Sequence, residues 1–162
     1  MQGEIRDSEV AIARASIADM AAILALQKLA YHSEAAIYGD FTIPPLTQTL
    51  EEIAADFERR VFLRATLDGQ IIGSVCGHIE GATCYLGRLI VHPRYQNQGL
   101  GTRLLREIEA TFGEAERYEL FTGTRSERNL HLYGKLGYRP CRRQQLSAAV
   151  ELVFLEKPGR VE

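Results

Sequence analysis

Between Leu89 and Leu105 a strand must stop, a glycine turn follows, and a helix opens on that turn. The residues are Leu-Ile-Val-His-Pro-Arg-Tyr-Gln-Asn-Gln-Gly-Leu-Gly-Thr-Arg-Leu-Leu. The apolar run Leu89, Ile90, Val91 ends before Pro93, which has no N–H and cannot continue a central strand. A polar loop leads to Gly99 and Gly101. Without a Cβ, glycine lets bare backbone come close to a ligand. The first N–H groups of a helix have no internal partner and lie at the positive end of its dipole. Strand, glycine turn and helix N-terminus in this order make an anion site suited to a pyrophosphate.

Two common phosphate motifs do not fit. No Gly-Lys-Ser/Thr closes the loop, so it is not a Walker A motif. No third glycine follows Gly101 at dinucleotide-fingerprint spacing. What remains, Gln96-Asn97-Gln98-Gly99-Leu100-Gly101, resembles the Gln/Arg-x-x-Gly-x-Gly/Ala acyl-CoA signature of the GNAT N-acetyltransferase superfamily. The preceding Val91-His92-Pro93-Arg94-Tyr95 and the amphipathic helix that follows strengthen the resemblance.

The chain has 162 residues, enough for one domain with a real core, and the expected unit is a single acyl-CoA-binding domain over 1–162. It is 46% hydrophobic and 25% charged, the balance of a soluble globular protein. A net charge of −2 gives no basic field, which disfavours nucleic acid as the main partner. No apolar run reaches membrane-spanning length. Met1 to Asp7 carry no signal-peptide pattern, so a cytoplasmic location is expected. Cys76, Cys84 and Cys141 are odd in number and lack CxxC spacing, which argues against a disulfide framework and a zinc site. No metal cluster is expected.

Hydrophobic periodicity predicts the element order β-α-α-β-β-β-α-β-α-β-β. Strands are expected over 10–14, 61–67, 70–80, 83–91, 118–123, 138–144 and 148–156. Asp68-Gly69 is a strong hairpin signal between the second and third. Ser16 with Asp19 reads as the start of a first helix carrying Met20, Ile23, Leu24 and Tyr31. A loop is expected over 38–45, and a second helix carries the stripe Leu50, Ile53, Ala54, Phe57. The glycine helix over 99–112 buries Leu100, Leu104, Leu105 and Ile108 and displays Arg103 and Glu107 as an i, i+4 pair. Ser126 reads as the cap of a last helix that ends at Gly137. The expected fold is α+β: a mixed, mostly antiparallel seven-stranded sheet flanked by about four helices, with a parallel central β-α-β pair. This is also the order of the GNAT fold, and the resemblance implies that the central pair is splayed.

By that resemblance acetyl-CoA is the expected cofactor. Leu89, Ile90 and Val91 offer backbone to its pantetheine arm. Backbone N–H groups of Gln98, Gly99, Leu100, Gly101 and Thr102 hold the pyrophosphate, with Gln96 at the first position of the motif and Asn97 inside it. Gln98 stands where the family often has Lys or Arg. A second constellation, Asn129-Leu130-His131-Leu132-Tyr133-Gly134-Lys135-Leu136-Gly137-Tyr138, is similar to the family's second motif. Asn129 and Tyr133 lie four apart on one helix face; the resemblance implies that both approach the cofactor and that the Tyr133 hydroxyl is the acid for the leaving thiolate.

The attacking amine must be uncharged. Some family members place a Glu early in the strand before the glycine motif. Here that strand begins Cys84-Tyr85-Leu86-Gly87-Arg88 and has no carboxylate, so deprotonation is expected to pass through water or a neighbouring strand. Glu80 is the first choice as base and Glu119 the second; His78 has a suitable intrinsic pKa. The resemblance implies that the region 31–60 forms one wall of the acceptor pocket, and its Tyr31, His32, Glu34, Tyr38 and Asp40 suit a cationic amine. The reading is thus an N-acetyltransferase acting by direct attack of a primary amine, from a small molecule or a peptide, with a homodimer among the expected assemblies. The alternative is a non-catalytic acyl-CoA-binding regulatory module on the same fold.

Overall fold

The computed structural model of the protein describes residues 5–6 and 9–159. Met1, Gln2, Gly3, Glu4 and Asp7, on which most of the leader-pattern reading rests, lie outside the described residues. The strands are β1 (Ala11–Arg14), β2 (Val61–Leu67), β3 (Gln70–Glu80), β4 (Thr83–Val91), β5 (Arg117–Gly123), β6 (Arg139–Gln145) and β7 (Glu151–Pro158). The α-helices are α1 (Met20–Tyr38), α2 (Pro44–Thr47), α3 (Leu50–Arg59), α4 (Leu100–Thr111) and α5 (Glu127–Lys135). One sheet joins the seven strands in the order β1-β2-β3-β4-β5-β7-β6. Every neighbouring pair is antiparallel except β4–β5. This is the expected α+β architecture.

Its local causes are readable. Asp68 and Gly69 both take positive φ, the requirement of the tight turn between β2 and β3. On α4, Leu100, Leu104, Leu105 and Ile108 are almost fully buried and join the main core with Val75, Leu86 and Leu120. On the opposite face of the sheet, Met20, Ile23 and Leu24 of α1 and Ile53 of α3 pack against Phe62 and Cys76. Cys76 and Cys84 are both buried, and Cys141 is exposed.

The first helix runs to Tyr38, where the expected loop begins and Gly39 in the left-handed region ends it. Two expectations change in detail. Part of the expected loop is α2, a single turn with Pro44 and Pro45 at its start. With this short turn, the described residues hold five α-helices. Arg103 on α4, expected to pair with Glu107, reaches across to the carbonyl of Val10 at 3.2 Å.

Two features of β4 position the site. Its pairing with β5 covers only Thr83↔Arg117, Cys84↔Tyr118 and Tyr85↔Glu119. Beyond Tyr85 the strands splay, and residues 86–91 have no β5 partner. The second feature is a bulge: Ser74 pairs with Ile90 but Cys76 pairs with Gly87, so β4 spends one extra residue there. Arg88 takes φ +50° at this point. A bulge shifts the alternation of side chains along a strand. Before it, Cys84 and Leu86 face the α4 core; after it, Leu89 does, while Ile90 packs against Leu26 and Ala30 of α1.

Candidate active site

The splay opens two cavities that meet across the unpaired part of β4. The first, about 420 Å³, lies against the start of α4. Leu89, Ile90, Val91, Gln96, Asn97, Gly99, Leu100, Gly101, Thr102 and Asn129 line it. Asn97 and Gly99 take φ +63° and +84°. Backbone that turns through the left-handed region in this way aims successive N–H groups into one concavity. In α4 the first intrahelical donor is Arg103, whose N–H bonds to Gly99 at 3.1 Å. The N–H groups of Leu100, Gly101 and Thr102 precede it, without intrahelical acceptors, at the positive end of the helix. Arg128 and Lys135 of α5 stand on the same wall.

Gln96 is tied down from both ends of its amide. Its Nε2 donates to Val91 O at 3.2 Å, and its Oε1 accepts from Arg128 at 2.8 Å. Gln98 is the one motif residue outside the cavity wall: its Oε1 accepts from the Ile5 N–H at 2.9 Å and so anchors the segment before β1.

The second cavity, about 480 Å³, lies on the α1 side of the splay. Its walls come from α1, α2, the unpaired part of β4, β5 and the β6–β7 hairpin. Tyr133 opens onto this cavity rather than onto the first. Its ring is buried and packs edge-on against Tyr138, 6.1 Å between centroids. Burial, followed by the nearby Tyr31 and Glu34, pushes the Tyr133 phenol well above its ordinary pKa, which keeps it protonated.

Tyr31, Glu34, Leu89 and Asn129 line both cavities and mark where they join. Glu34 is the centre of a hydrogen-bonded chain there. Its Oε2 accepts from Ser126 Oγ at 2.6 Å and its Oε1 from Asn129 Nδ2 at 3.3 Å. Asn129 also donates to Thr122 Oγ1 at 3.1 Å. Ser126 Oγ lies 2.7 Å from the Tyr38 hydroxyl, which accepts from the Arg125 N–H at 3.0 Å. Gly123 is required beneath it, because a Cβ there would coincide with the Tyr38 hydroxyl. Ser126, expected as the cap of the last helix, turns its hydroxyl to this chain and makes no capping bond. A carboxylate has about four lone-pair directions, so Glu34 retains acceptor capacity toward the cavities.

The other carboxylates on the second cavity are differently placed. Glu80 stands opposite Thr83, at the paired end of β4, and its side chain is 70% exposed. Six residues separate Thr83 from Leu89, about 20 Å of strand. Glu80 Oε1 lies 3.4 Å from His78 Nε2, and His78 stacks on Tyr85 with ring centroids 5.4 Å apart. Glu119 is buried, and each of its oxygens is engaged by a guanidinium: Arg117 at 2.8 Å and Arg142 at 2.9 Å.

The structure thus brings nine of the motif residues and Asn129 to one cavity, and Tyr133, Glu80 and Glu119 to the other. Sequence reasoning gave Glu34 only a place in the acceptor wall. Its central position depends on α1 crossing the start of α5, which no local pattern in either segment reveals.

A model of the acetyltransferase (GNAT) family matches residues 23–138. Over 117 residues the chain is 31% identical to the protein YqkA of Bacillus subtilis; the match covers 72% of this chain and 34% of YqkA, so the chain spans about a third of that relative. Among solved structures, a GNAT-family acetyltransferase from Streptococcus pneumoniae is 25% identical, with a TM-score of 0.72 over 93% of this chain and 99% of that one. The PaiA N-acetyltransferase of Thermoplasma acidophilum, solved with coenzyme A, is 19% identical with a TM-score of 0.74, covering 92% of this chain and 98% of that one.

Proposed function

The chain belongs to the acetyltransferase (GNAT) family, and we propose that it is an N-acetyltransferase that moves an acetyl group from acetyl-CoA to a primary amine by direct attack. One observation carries this reading: an unpaired strand edge runs into an open helix N-terminus on one side, and onto a second cavity with a central carboxylate on the other. The first cavity fits coenzyme A in its donor set. Leu89, Ile90 and Val91 have open backbone for an extended amide chain. The N–H groups of Leu100, Gly101 and Thr102 suit a pyrophosphate, and Arg128 and Lys135 supply the cations that Gln98 does not.

When bound, acetyl-CoA supplies an activated thioester, so that a C–N bond to the acceptor forms as the C–S bond breaks. Glu34 lies where the two cavities join and takes the proton that the acceptor ammonium must lose. Tyr133, held protonated by burial, gives its hydroxyl proton to the departing sulfur and regains one from the acylated nitrogen. One proton per turnover leaves through Glu34. N–H groups of β4 near Val91, without a β5 partner, would supply donors to the reacting carbonyl. Glu80, at the closed end of the cleft, stands after Glu34 as a proton acceptor.

Calorimetric titration with acetyl-CoA, followed by CoA release across a panel of small and peptide amines, tests the proposal. Saturable, amine-dependent release supports it. Tight acetyl-CoA binding with no release for any amine would instead identify a non-catalytic acyl-CoA-binding module.

A further inference from the structure

The second cavity has a chemical asymmetry. On its β4 side, Arg60 and Arg88 are both half-buried and both line the wall. Neither is paired with a carboxylate among the described residues. The arginines of the opposite wall differ: Arg142 and its neighbour Arg117 are paired with Glu119 and Glu156. A partly desolvated guanidinium without a counter-ion is a ready partner for an anion, and its planar fork matches a carboxylate.

The bulge in β4 is what brings Arg88 here. Without it, strict alternation from Leu86 would send Arg88 into the α4 core. The extra residue and the positive φ turn it to the other face, where its guanidinium lies 5.9 Å from the centre of the Tyr31 ring. Left-handed backbone at a non-glycine residue costs roughly 1 kcal/mol. Arg60 approaches from the end of α3, with a terminal nitrogen 4.0 Å from Cys76 Sγ. Cys76 is the cross-strand partner of Gly87, and its thiol donates to the Gly87 carbonyl at 3.5 Å. Gly87 is thus the chain neighbour of Arg88 and, through Cys76, a near neighbour of Arg60. A Cβ built on it meets nothing within 4 Å, so the floor there is open.

The amine end of such a ligand has its place as well. Glu34 is one turn along α1 from Tyr31, about 4.5 Å of helix axis. Across the splay, Phe121 and Leu146 expose 53% and 44% of their surface, and Phe121 packs against Phe154 with ring centroids 5.2 Å apart. These apolar walls are available to cover a side chain.

We propose that the acceptor is a free amino acid, or a close analogue, whose carboxylate is held by Arg88 and Arg60 over Gly87, whose amine lies at Glu34, and whose apolar side chain covers Phe121 and Phe154. This deepens the acetyl-transfer reading and rests on it for the reaction. The step balances as above: the amine of the bound amino acid loses one proton to Glu34, forms the amide, and the thiol leaves protonated. A peptide N-terminus, which has no acid on the carbon beside its amine, is disfavoured.

The test compares L-phenylalanine, L-leucine and L-methionine with their carboxamides, which keep the amine and the shape but lose the charge. CoA release is measured with the full chain. In parallel, N-acetyl-L-phenylalanine and its carboxamide are titrated calorimetrically into the CoA-bound protein, a readout that needs no turnover. The acid is expected to exceed the amide by roughly 100-fold in kcat/KM, since a site built for a charged partner is left unpaired by the amide. Arg88→Gln should shrink that ratio to a few-fold. Gly87→Val, which fills open floor and meets no protein atom at its Cβ, should weaken the N-acetyl acid at least tenfold and leave CoA binding intact. Equal rates or equal binding for acid and amide would overturn this inference while leaving acetyl transfer standing, and so would no binding of either N-acetyl probe. Acid-selective binding with no release from any amine would keep the anion site and overturn the acetyl-transfer reading.

Discussion

Gly101→Val separates cofactor binding from folding. Gly101 is the second residue of α4 and lines the first cavity. A Cβ there would lie 3.4 Å from Leu132 Cδ2 and 3.9 Å from Leu89 Cδ2, tight but not clashing. The branched side chain must then extend into the concavity. For stability the effects nearly cancel: valine is better than glycine in a helix by about 0.3 kcal/mol, set against a few tenths for the close contact with Leu132. The melting temperature should move by no more than about 2 °C. Binding is another matter. Charge-assisted hydrogen bonds contribute roughly 1.5–3 kcal/mol each. Displacing a pyrophosphate from two of the three helix N–H groups removes about 3–6 kcal/mol, or roughly 10²–10⁴-fold in affinity. Calorimetric titration with CoA and acetyl-CoA, beside a thermal melt, reads both quantities. Wild-type affinity in a folded Gly101→Val protein would refute the helix N-terminus as the phosphate site. Lost affinity together with a collapsed melting temperature would refute the separation.

Tyr133→Phe keeps the buried ring and removes only the hydroxyl; steady-state kinetics should show kcat lower by roughly 10²–10⁴-fold with acetyl-CoA affinity unchanged, and unaltered kcat would reassign the residue to packing. Glu34→Gln keeps an acceptor for Ser126, so a pH–rate profile should show kcat/KM reduced most at low pH, where the amine is charged, and recovering as the amine itself deprotonates; a uniform loss at every pH points to positioning. In thiol titration of the native protein, Cys141 should react first, because Cys76 and Cys84 are buried and burial pushes the Cys84 thiol up to about 12. Asp40 is held below the ordinary aspartate pKa by hydrogen bonds from Thr42, first the hydroxyl and then the backbone N–H. Its contribution to stability is therefore present above the unfolded value and lost as pH falls through the folded one; thermal melts of Asp40→Asn should lack that acid-side decline.

The legible parts of this molecule are those whose causes are local. A proline after three apolar residues, a pair of glycines before an amphipathic run and an Asp-Gly between two alternating segments each act within a few residues. They placed β2, β3, β4 and α4 within a residue of their observed bounds. The last turns of the first helix have no apolar stripe to announce them; Ala35 and Tyr38 are buried there by tertiary contacts. Glu34 and Ser126 lie 92 positions apart and meet only when α1 crosses the start of α5. Arg88 is the sharpest case. Leu86-Gly87-Arg88-Leu89-Ile90-Val91 reads as ordinary strand, and strand period alone puts the arginine on the core face. Only the register against β3, with Gly87 facing Cys76 and Ile90 facing Ser74, reveals the extra residue. The same bulge that turns Arg88 toward α1 sends Leu89 back to the α4 core, beside Gly101. One inserted residue thus aligns the cofactor edge with the acceptor cavity. Without it, strand period would turn Arg88 to the face that holds Leu86, Leu104 and Ile108, where an unpaired guanidinium costs several kcal/mol, on the order of 3–5.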